Sequence, residues 1–296
     1  AEFLRRELLA PLDMADSIAD LPAAQRMPPG HEYYFGRVRR APRTFDTSGL
    51  PYGYLAGSVT DLAHLAILHT DAGRYHGEQV LSEDAVAGLH RPGPPAAGGH
   101  YGPGWRIGTL GPVGARIVWH AGAITGYHTI MIAAPDAGWA VAVQQNAWSP
   151  LRDGSLNAAG FGVLTLALGG TPDPPPPASA TTPLLGLGAV ILILTAGLIL
   201  TARRLVRRAS NTHRTWPVLL GAGTAAAAGL LCATGAGLWL PHTVDLDLRH
   251  ILRFLPDIGH LTITVIILGL ALTATATALL VQTLLRLRSR RPAEQA

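Results

Sequence analysis

The sequence predicts an α+β domain over residues 1–170, joined by a short linker to three membrane-crossing helices over residues 183–296. Three observations carry this reading. Helical spacing near the start gives way to short runs rich in Val, Ile, Trp and Tyr, and then to one closing helix. Residues 171–182 are crowded with proline. Three apolar stretches follow, in a chain of mean hydropathy +0.26 with only 14% charged residues, where soluble domains carry about 25%.

Phe3, Leu4, Leu8 and Leu9 lie at helical spacing, and Pro11 ends that helix. Residues 21–53 are rich in Pro, Gly and Arg and read as an irregular surface excursion. Ser58 is placed to cap a helix carrying Leu62, Leu65, Ala66 and Leu68, with Asp61 in its first turn and Gly73 closing it. A second short helix runs from Ser82 to His90. The period then changes. Gly104 to Ile107, Ala115 to His120, Tyr127 to Ala133 and Trp139 to Gln145 read as successive antiparallel strands. Pro135-Asp136-Ala137-Gly138 forms a hairpin turn between the last two. Gly154 to Leu168 reads as a helix packed on the sheet. The Pro172 and Pro174 to Pro177 run is a stiff, extended spacer that marks the domain boundary.

The apolar stretches are Pro183 to Ala202, Trp216 to Leu240 and Ile258 to Leu285 (about 183–202, 216–240 and 258–285). Twenty helical residues rise about 30 Å, the thickness of a hydrocarbon core. The predicted partner of this region is therefore the lipid bilayer. Arginine sets the orientation. Arg203, Arg204, Arg207, Arg208 and Arg214 follow the first span, and Arg286, Arg288, Arg290 and Arg291 follow the third. The connector between spans two and three has only Arg249 and Arg253, offset by Asp245, Asp247 and Asp257. Basic loops stay in the cytoplasm, so residues 1–170 are expected to be extracytoplasmic and the C-terminus cytoplasmic in a multi-pass protein of the cell membrane. A folded domain on that side needs an export signal. None follows Ala1, so a preceding portion is expected.

Composition excludes several classes. Residues 1–170 hold 12 Arg against 14 acidic residues, and residues 171–296 hold 11 Arg against 5. The basic balance thus belongs to the membrane flanks. No basic stripe marks a folded face, which argues against a nucleic-acid partner. The single cysteine, Cys232, rules out an internal disulfide or a cysteine-based zinc site. His31-Glu32-Tyr33-Tyr34-Phe35 opens like a zincin helix but lacks the second histidine. His64 and His69 stand five apart and read as solvated helix positions, and Tyr52 and Tyr54 read as packing residues. No metal or organic cofactor is implied. All 23 basic residues are arginine, so any mechanism that requires a lysine of this chain is excluded.

One set of motifs is more specific. Leu9-Ala10-Pro11-Leu12-Asp13-Met14 resembles the Pro-Leu-Gly-Met element of class C β-lactamases and related penicillin-recognising serine hydrolases, with Asp13 in place of glycine. Tyr54-Leu55-Ala56-Gly57-Ser58-Val59-Thr60-Asp61-Leu62-Ala63 is similar to the family's helix entry. Tyr101-Gly102-Pro103-Gly104-Trp105 resembles its Tyr-Gly-x-Gly-Trp strand. Trp119-His120-Ala121-Gly122, Gly126-Tyr127, Pro135-Asp136 and Gln145-Asn146 follow in the family's order. The resemblance covers most of residues 1–170.

It implies the C-terminal part of a serine β-lactamase-like fold and an acyl-transfer chemistry. In the family a serine of Ser-x-x-Lys attacks the carbonyl, while that lysine and the tyrosine of Tyr-x-Asn move protons. Neither motif occurs here. The third, a Lys- or His-x-Gly strand, corresponds to His120-Ala121-Gly122. By resemblance His120 supplies hydrogen bonding or positive charge beside the substrate, Gly122 keeps the strand open to close approach, and the Ala123 N–H is an oxyanion donor. The implied ligands are a peptidoglycan peptide, a β-lactam or an ester. The nucleophile is expected on polypeptide upstream of residue 1, leaving this stretch inactive alone. Ser58, outside any Gly-x-Ser-x-Gly, reads as a cap and not a nucleophile. The alternative is a non-catalytic membrane protein whose remnant domain binds a ligand or partner.

Overall fold

A computed structural model describes residues 2–42, 45–51, 53–177, 179–207 and 215–289. Tyr52, Arg208, Arg214, Arg290 and Arg291 lie outside the described residues. The chain divides into two compact units, one of Ala1–Tyr33 with Arg37–Ser179 and one of Tyr34–Gly36 with Ala180–Ala296.

The first unit opens with α1 (Glu2–Leu4), which continues as a wider π turn over Arg5–Leu9. Then come α2 (Leu21–Ala24), β1 (His31–Tyr34), β2 (Arg37–Arg40) and α3 (Val59–Thr70). The short strands β3 (Arg74–Tyr75) and β4 (Glu78–Gln79) precede α4 (Glu83–Leu89). A run of strands follows: β5 (Pro95–Ala96), β6 (Gly99–Tyr101), β7 (Arg106–Leu110), β8 (Ala115–Ile124), β9 (Tyr127–Ala134), β10 (Trp139–Gln145) and β11 (Ala147–Trp148). The unit's last helix is α5 (Asp153–Ala167).

The main sheet is antiparallel, in the order β10-β9-β8-β7-β6-β5. Its register follows from side-chain alternation, because a strand exposes successive residues to opposite faces. On one face Ile117, Ile130, Ile132 and Ala134 meet Leu164 of α5, with Trp119 and Phe161 edge to face at 5.1 Å. Gly160 lets α5 sit this close: a Cβ there would stand 2.7 Å from Ile130 Cγ2. On the other face α3 packs across β9 and β10. A second core joins Leu9, Leu12 and Met14 to Leu68 and Tyr75.

The helix caps are as expected. Ser58 Oγ accepts the Asp61 N–H at 3.1 Å, and Ser82 Oγ accepts the Ala85 N–H at 3.1 Å. Pro135–Ala137 turns β9 into β10, with Gly138 at φ +70°. The reading of residues 21–53 as irregular is corrected. They contain α2, the β1–β2 pair and a 3₁₀ turn at Thr47–Gly49. β1 and β2 are joined by Phe35-Gly36, both at positive φ, and β1 is held on its other side by a parallel pairing with β11. Glu32, buried in β1, is balanced by Arg39 Nε at 2.7 Å. The alternation of a short strand two residues from a turn was there to be seen, but the surrounding Pro, Gly and Arg masked it.

The second unit contains α6 (Thr181–Arg207), α7 (Trp216–Thr234), α8 (Leu240–Val244), α9 (Leu248–Phe254) and α10 (Pro256–Arg288), with a π turn over Gly235–Trp239 joining α7 to α8. Three helical segments, Thr181–Arg207, Trp216–Thr243 and Pro256–Arg288, are long and apolar enough to cross a membrane. Each begins or ends a few residues away from the predicted span. The connector after α7 is not wholly a loop, since α9 occupies it and buries Ile251. Leu194, Ala236, Val265 and Leu272 form the helical core. α7 and α10 meet through glycine: a Cβ on Gly229 would stand 2.5 Å from Gly269 O. That approach lets Thr273 Oγ1 donate to Ala226 O at 3.2 Å and Gly269 O at 2.9 Å.

Candidate functional site

The site is built around the second half of β8. β9 pairs with β8 as far as Ile124↔Tyr127, whereas β7 pairs with it only as far as Arg106↔Trp119. Residues 120–124 therefore have a strand on one side and, among the described residues, none on the other. The long β8–β9 hairpin closes on Thr125-Gly126, with Gly126 at φ +87°. It is braced from outside by the backbone of Gly30, where a Cβ would stand 2.7 Å from Gly126 O. Only glycine fits either position, and this braces the tip of the hairpin beyond the open edge.

An open cavity of about 300 Å³ borders that edge, lined by residues 119–123 together with Ala97, Arg106, Asp153 and Asn157. The predicted residues His120, Gly122 and Ala123 all lie on it. They are mid-strand and not at a strand end, because β8 continues to Ile124. A Cβ on Gly122 would meet nothing within 4 Å. That position is open and is not taken up by the protein's own packing.

His120 is half-buried, with Nε2 3.1 Å from the Tyr101 hydroxyl and its ring 6.4 Å from Trp105. Burial lowers its pKa, the Arg106 guanidinium lowers it further, and a backbone contact with Ala121 acts the other way. These effects together favour the neutral ring, which can offer a hydrogen bond to a ligand.

Beyond Trp105 from His120 stands a pair of histidines. His69 of α3 and His90, just after α4, approach at 2.8 Å between Nδ1 and Nε2, and the Trp105 indole lies edge-on to His69 at 4.3 Å. His69 is only 4% exposed. The reading of His64 and His69 as solvated positions is thus corrected. His64 is part-buried and its Nδ1 lies 2.9 Å from Leu12 O. Burial, and then His90, lower the pKa of His69 to about 4. Burial and Arg116 lower that of His90 against an opposing pull from Asp136.

Three polar cavity residues were missed as such in the sequence, Arg106, Asp153 and Asn157, as was the Tyr101 hydroxyl beside His120. Arg106 is cross-strand from Trp119, its guanidinium 5.4 Å from the Trp119 and Tyr101 ring centroids, and it donates to Ala97 O at 3.1 Å. This holds a cation at one end of the open edge. At the other end a polar relay crosses from the sheet to α5. Buried His128, cross-strand from Ala123, sets Nδ1 2.8 Å from Gln145 Oε1 and Nε2 3.0 Å from Asn157 Oδ1. Asn157 Nδ2 donates to Asp153 Oδ2 at 3.0 Å, which fixes its oxygen toward His128, and Trp148 Nε1 donates to Asp153 Oδ1 at 3.1 Å. An Asp-x-x-x-Asn spacing at a helix start looks like ordinary first-turn chemistry, so the sequence did not distinguish it.

Ser58 is committed to its cap, and its helix anchors Asp61, whose carboxylate accepts from Ser17 Oγ at 2.9 Å. Among the described residues no three His, Cys, Asp or Glu side chains converge as metal ligands.

The structure of the octameric penicillin-binding protein homologue from Pyrococcus abyssi is similar at 20% identity and a TM-score of 0.47, over 64% of this chain and 41% of that one. This chain thus spans well under half of that relative's length. No curated protein matches the sequence. The family model described as Beta-lactamase matches residues 1–161, more than half of the 296 residues, and on that match the chain belongs to the β-lactamase family.

Proposed function

We propose that residues 1–170 form the pocket wall of a membrane-anchored serine hydrolase related to β-lactamases, D-alanyl-D-alanine carboxypeptidases and esterases. In this reading the attacking serine belongs to polypeptide outside residues 1–296. The observation that carries the reading is the open β8 edge at residues 120–124, bordered by a cavity and free of side-chain crowding at Gly122. An extended peptide or a strained amide laid along that edge receives main-chain hydrogen bonds of the kind a missing strand would make. The Ala123 N–H is the proposed oxyanion donor, and His120 with Tyr101 borders the acyl group. Residues 171–182 are the proposed tether, the three long apolar helices the anchor, and the extracytoplasmic side the location of the pocket.

Magnitudes decide what this stretch does alone. One oxyanion donor contributes about 10²–10³ in rate, whereas loss of a serine nucleophile costs on the order of 10⁶ in a comparable hydrolase. The chain by itself is therefore proposed to bind and not to turn over. Incubating the purified chain with a fluorescent penicillin is expected to give no covalent adduct by gel and mass spectrometry. An ester on any serine would refute the proposal. The complete absence of lysine also favours a second reading, in which the domain binds a ligand or partner without catalysis. An in-frame Ser-x-x-Lys and Tyr-x-Asn encoded upstream decides for the first, and a start codon at residue 1 for the second.

A further inference from the structure

We propose that the β1–β2 hairpin is an interfacial anchor, which sets the Phe35 ring into the lipid headgroup layer and binds anionic headgroups through Arg37 and Arg40. The proposal rests on the long apolar helices crossing a bilayer and is independent of any chemistry at the cavity. Phe35 and Gly36 form a two-residue turn with φ of +49° and +75°. Such turns favour Asn-Gly, and a bulky side chain at positive φ is strained. The Phe35 ring is nevertheless 48% exposed, and Val38, the second residue of the outer strand, is 56% exposed. Exposed apolar side chains beside cations suit the lipid–water boundary, where aromatic rings settle and arginine stems lie along apolar surface.

Depth follows from what the turn touches. Tyr34–Gly36 group with the second unit. There the Phe35 N–H donates to Asp257 Oδ2 at 3.0 Å, and the Tyr34 ring lies 6.2 Å from that of His260. Asp257 stands in the first turn of α10, immediately before the apolar stretch that starts at Ile258. The turn is thus held at the end of a long apolar helix, at the level where hydrocarbon gives way to headgroups. Charge follows from register. Glu32 accepts from Arg39, and the Ala41 N–H donates to Gly30 O. That register sets Arg37 beside Tyr34, Val38 beside Tyr33 and Arg40 beside His31. Buried Glu32 occupies Arg39. Arg37 and Arg40 are exposed and, among the described residues, form no ion pair. They flank an edge that has no further strand among the described residues, because β2 is the outer strand of its sheet. Arg152, 4.0 Å over the Tyr33 ring, adds a third cation beside them. Guanidinium groups around an apolar tip complement net-negative headgroups over zwitterionic ones.

The test uses the full chain with Cys232→Ala and Val38→Cys, labelled with bimane, in nanodiscs that contain a lipid bearing a headgroup nitroxide. Each arginine near an anionic surface favours it by roughly fivefold. Bimane quenching is therefore expected to be about twofold stronger with phosphatidylglycerol mixed into phosphatidylcholine than in phosphatidylcholine alone. The gain should fall as salt rises, vanish in Arg37→Gln/Arg40→Gln, and survive Arg37→Lys/Arg40→Lys, which keeps the charge. Equal quenching in the two lipids overturns the headgroup assignment, and a gain that persists in the double glutamine variant overturns the assignment to these arginines. Loss of the gain on adding inorganic phosphate at constant ionic strength would mark a small-anion site and overturn the lipid surface. A bimane at Leu270→Cys, an exposed position of α10, read against an acyl-chain nitroxide, checks the helices separately. No quenching at Leu270 overturns the membrane reading itself, whereas quenching at Leu270 with none at Val38 overturns the anchor alone.

Discussion

Two glycines and a histidine separate packing from function at the level of single side chains. A methyl group at Gly122 meets open space, whereas one at Gly160 is driven into Ile130. Gly160→Ala is therefore expected to destabilise the first unit by about 1–3 kcal/mol, and Gly122→Ala to leave its thermal unfolding unchanged while weakening peptide binding. Differential scanning fluorimetry with calorimetric titration distinguishes the two. His69 gives a pH signature. Below pH 6.5 the unfolded chain binds a proton that the folded chain, with His69 at about 4, refuses. Stability contributed by neutral His69 is complete above pH 6.5 and is lost as pH falls toward 4, by on the order of 3 kcal/mol. His69→Gln should flatten denaturant midpoints over that window relative to the unsubstituted chain. An unchanged slope would place the proton elsewhere.

Among the elements, the strand carrying His120 mattered most and was the most legible. The consecutive Ile117, Val118 and Trp119 predicted β8, and the glycine turns predicted its neighbours. The family pattern pointed to His120-Ala121-Gly122, and the structure sets those residues on a cavity. What could not be read was where β7 stops. That boundary depends on tertiary register at Arg106↔Trp119 and not on local propensity, yet it creates the open edge. Arg106 and Asp153 were invisible for the same reason: they are some 47 positions apart in sequence, and only pairing and the crossing of α5 bring both to one cavity. The β1–β2 pair was masked by the surrounding Pro, Gly and Arg, and its pairing with β11, more than 100 residues away, leaves no local signal. In the second unit the close element contact is α7 with α10. Gly269→Leu fills the approach to Gly229 and Ala233 and is expected to cost about 1–3 kcal/mol, measured as a lower unfolding temperature in detergent. Leu270→Ala, on an exposed position of the same helix, should leave that temperature unaltered.

Considered as a whole, the molecule combines a β-lactamase-family unit whose edge is open with a unit of three long apolar helices. Each was written into the sequence by a different signal: motif order for the first, length and hydropathy for the second. Their proposed orientation can be checked by replacing Cys232 and introducing single cysteines at His100 and Arg203. A membrane-impermeant maleimide on intact cells should label the first and spare the second. The central claim concerns the first unit, namely that residues 120–124 are the wall on which a ligand is laid. Hydrogen–deuterium exchange of the full chain, with and without Nα-acetyl-Lys-D-Ala-D-Ala, measures this most directly. The account predicts that the ligand slows exchange in the peptide covering residues 120–124, while residues 129–133 of buried β9 change little. Protection confined to other parts of the chain, with the 120–124 edge exchanging as fast as before, would contradict it.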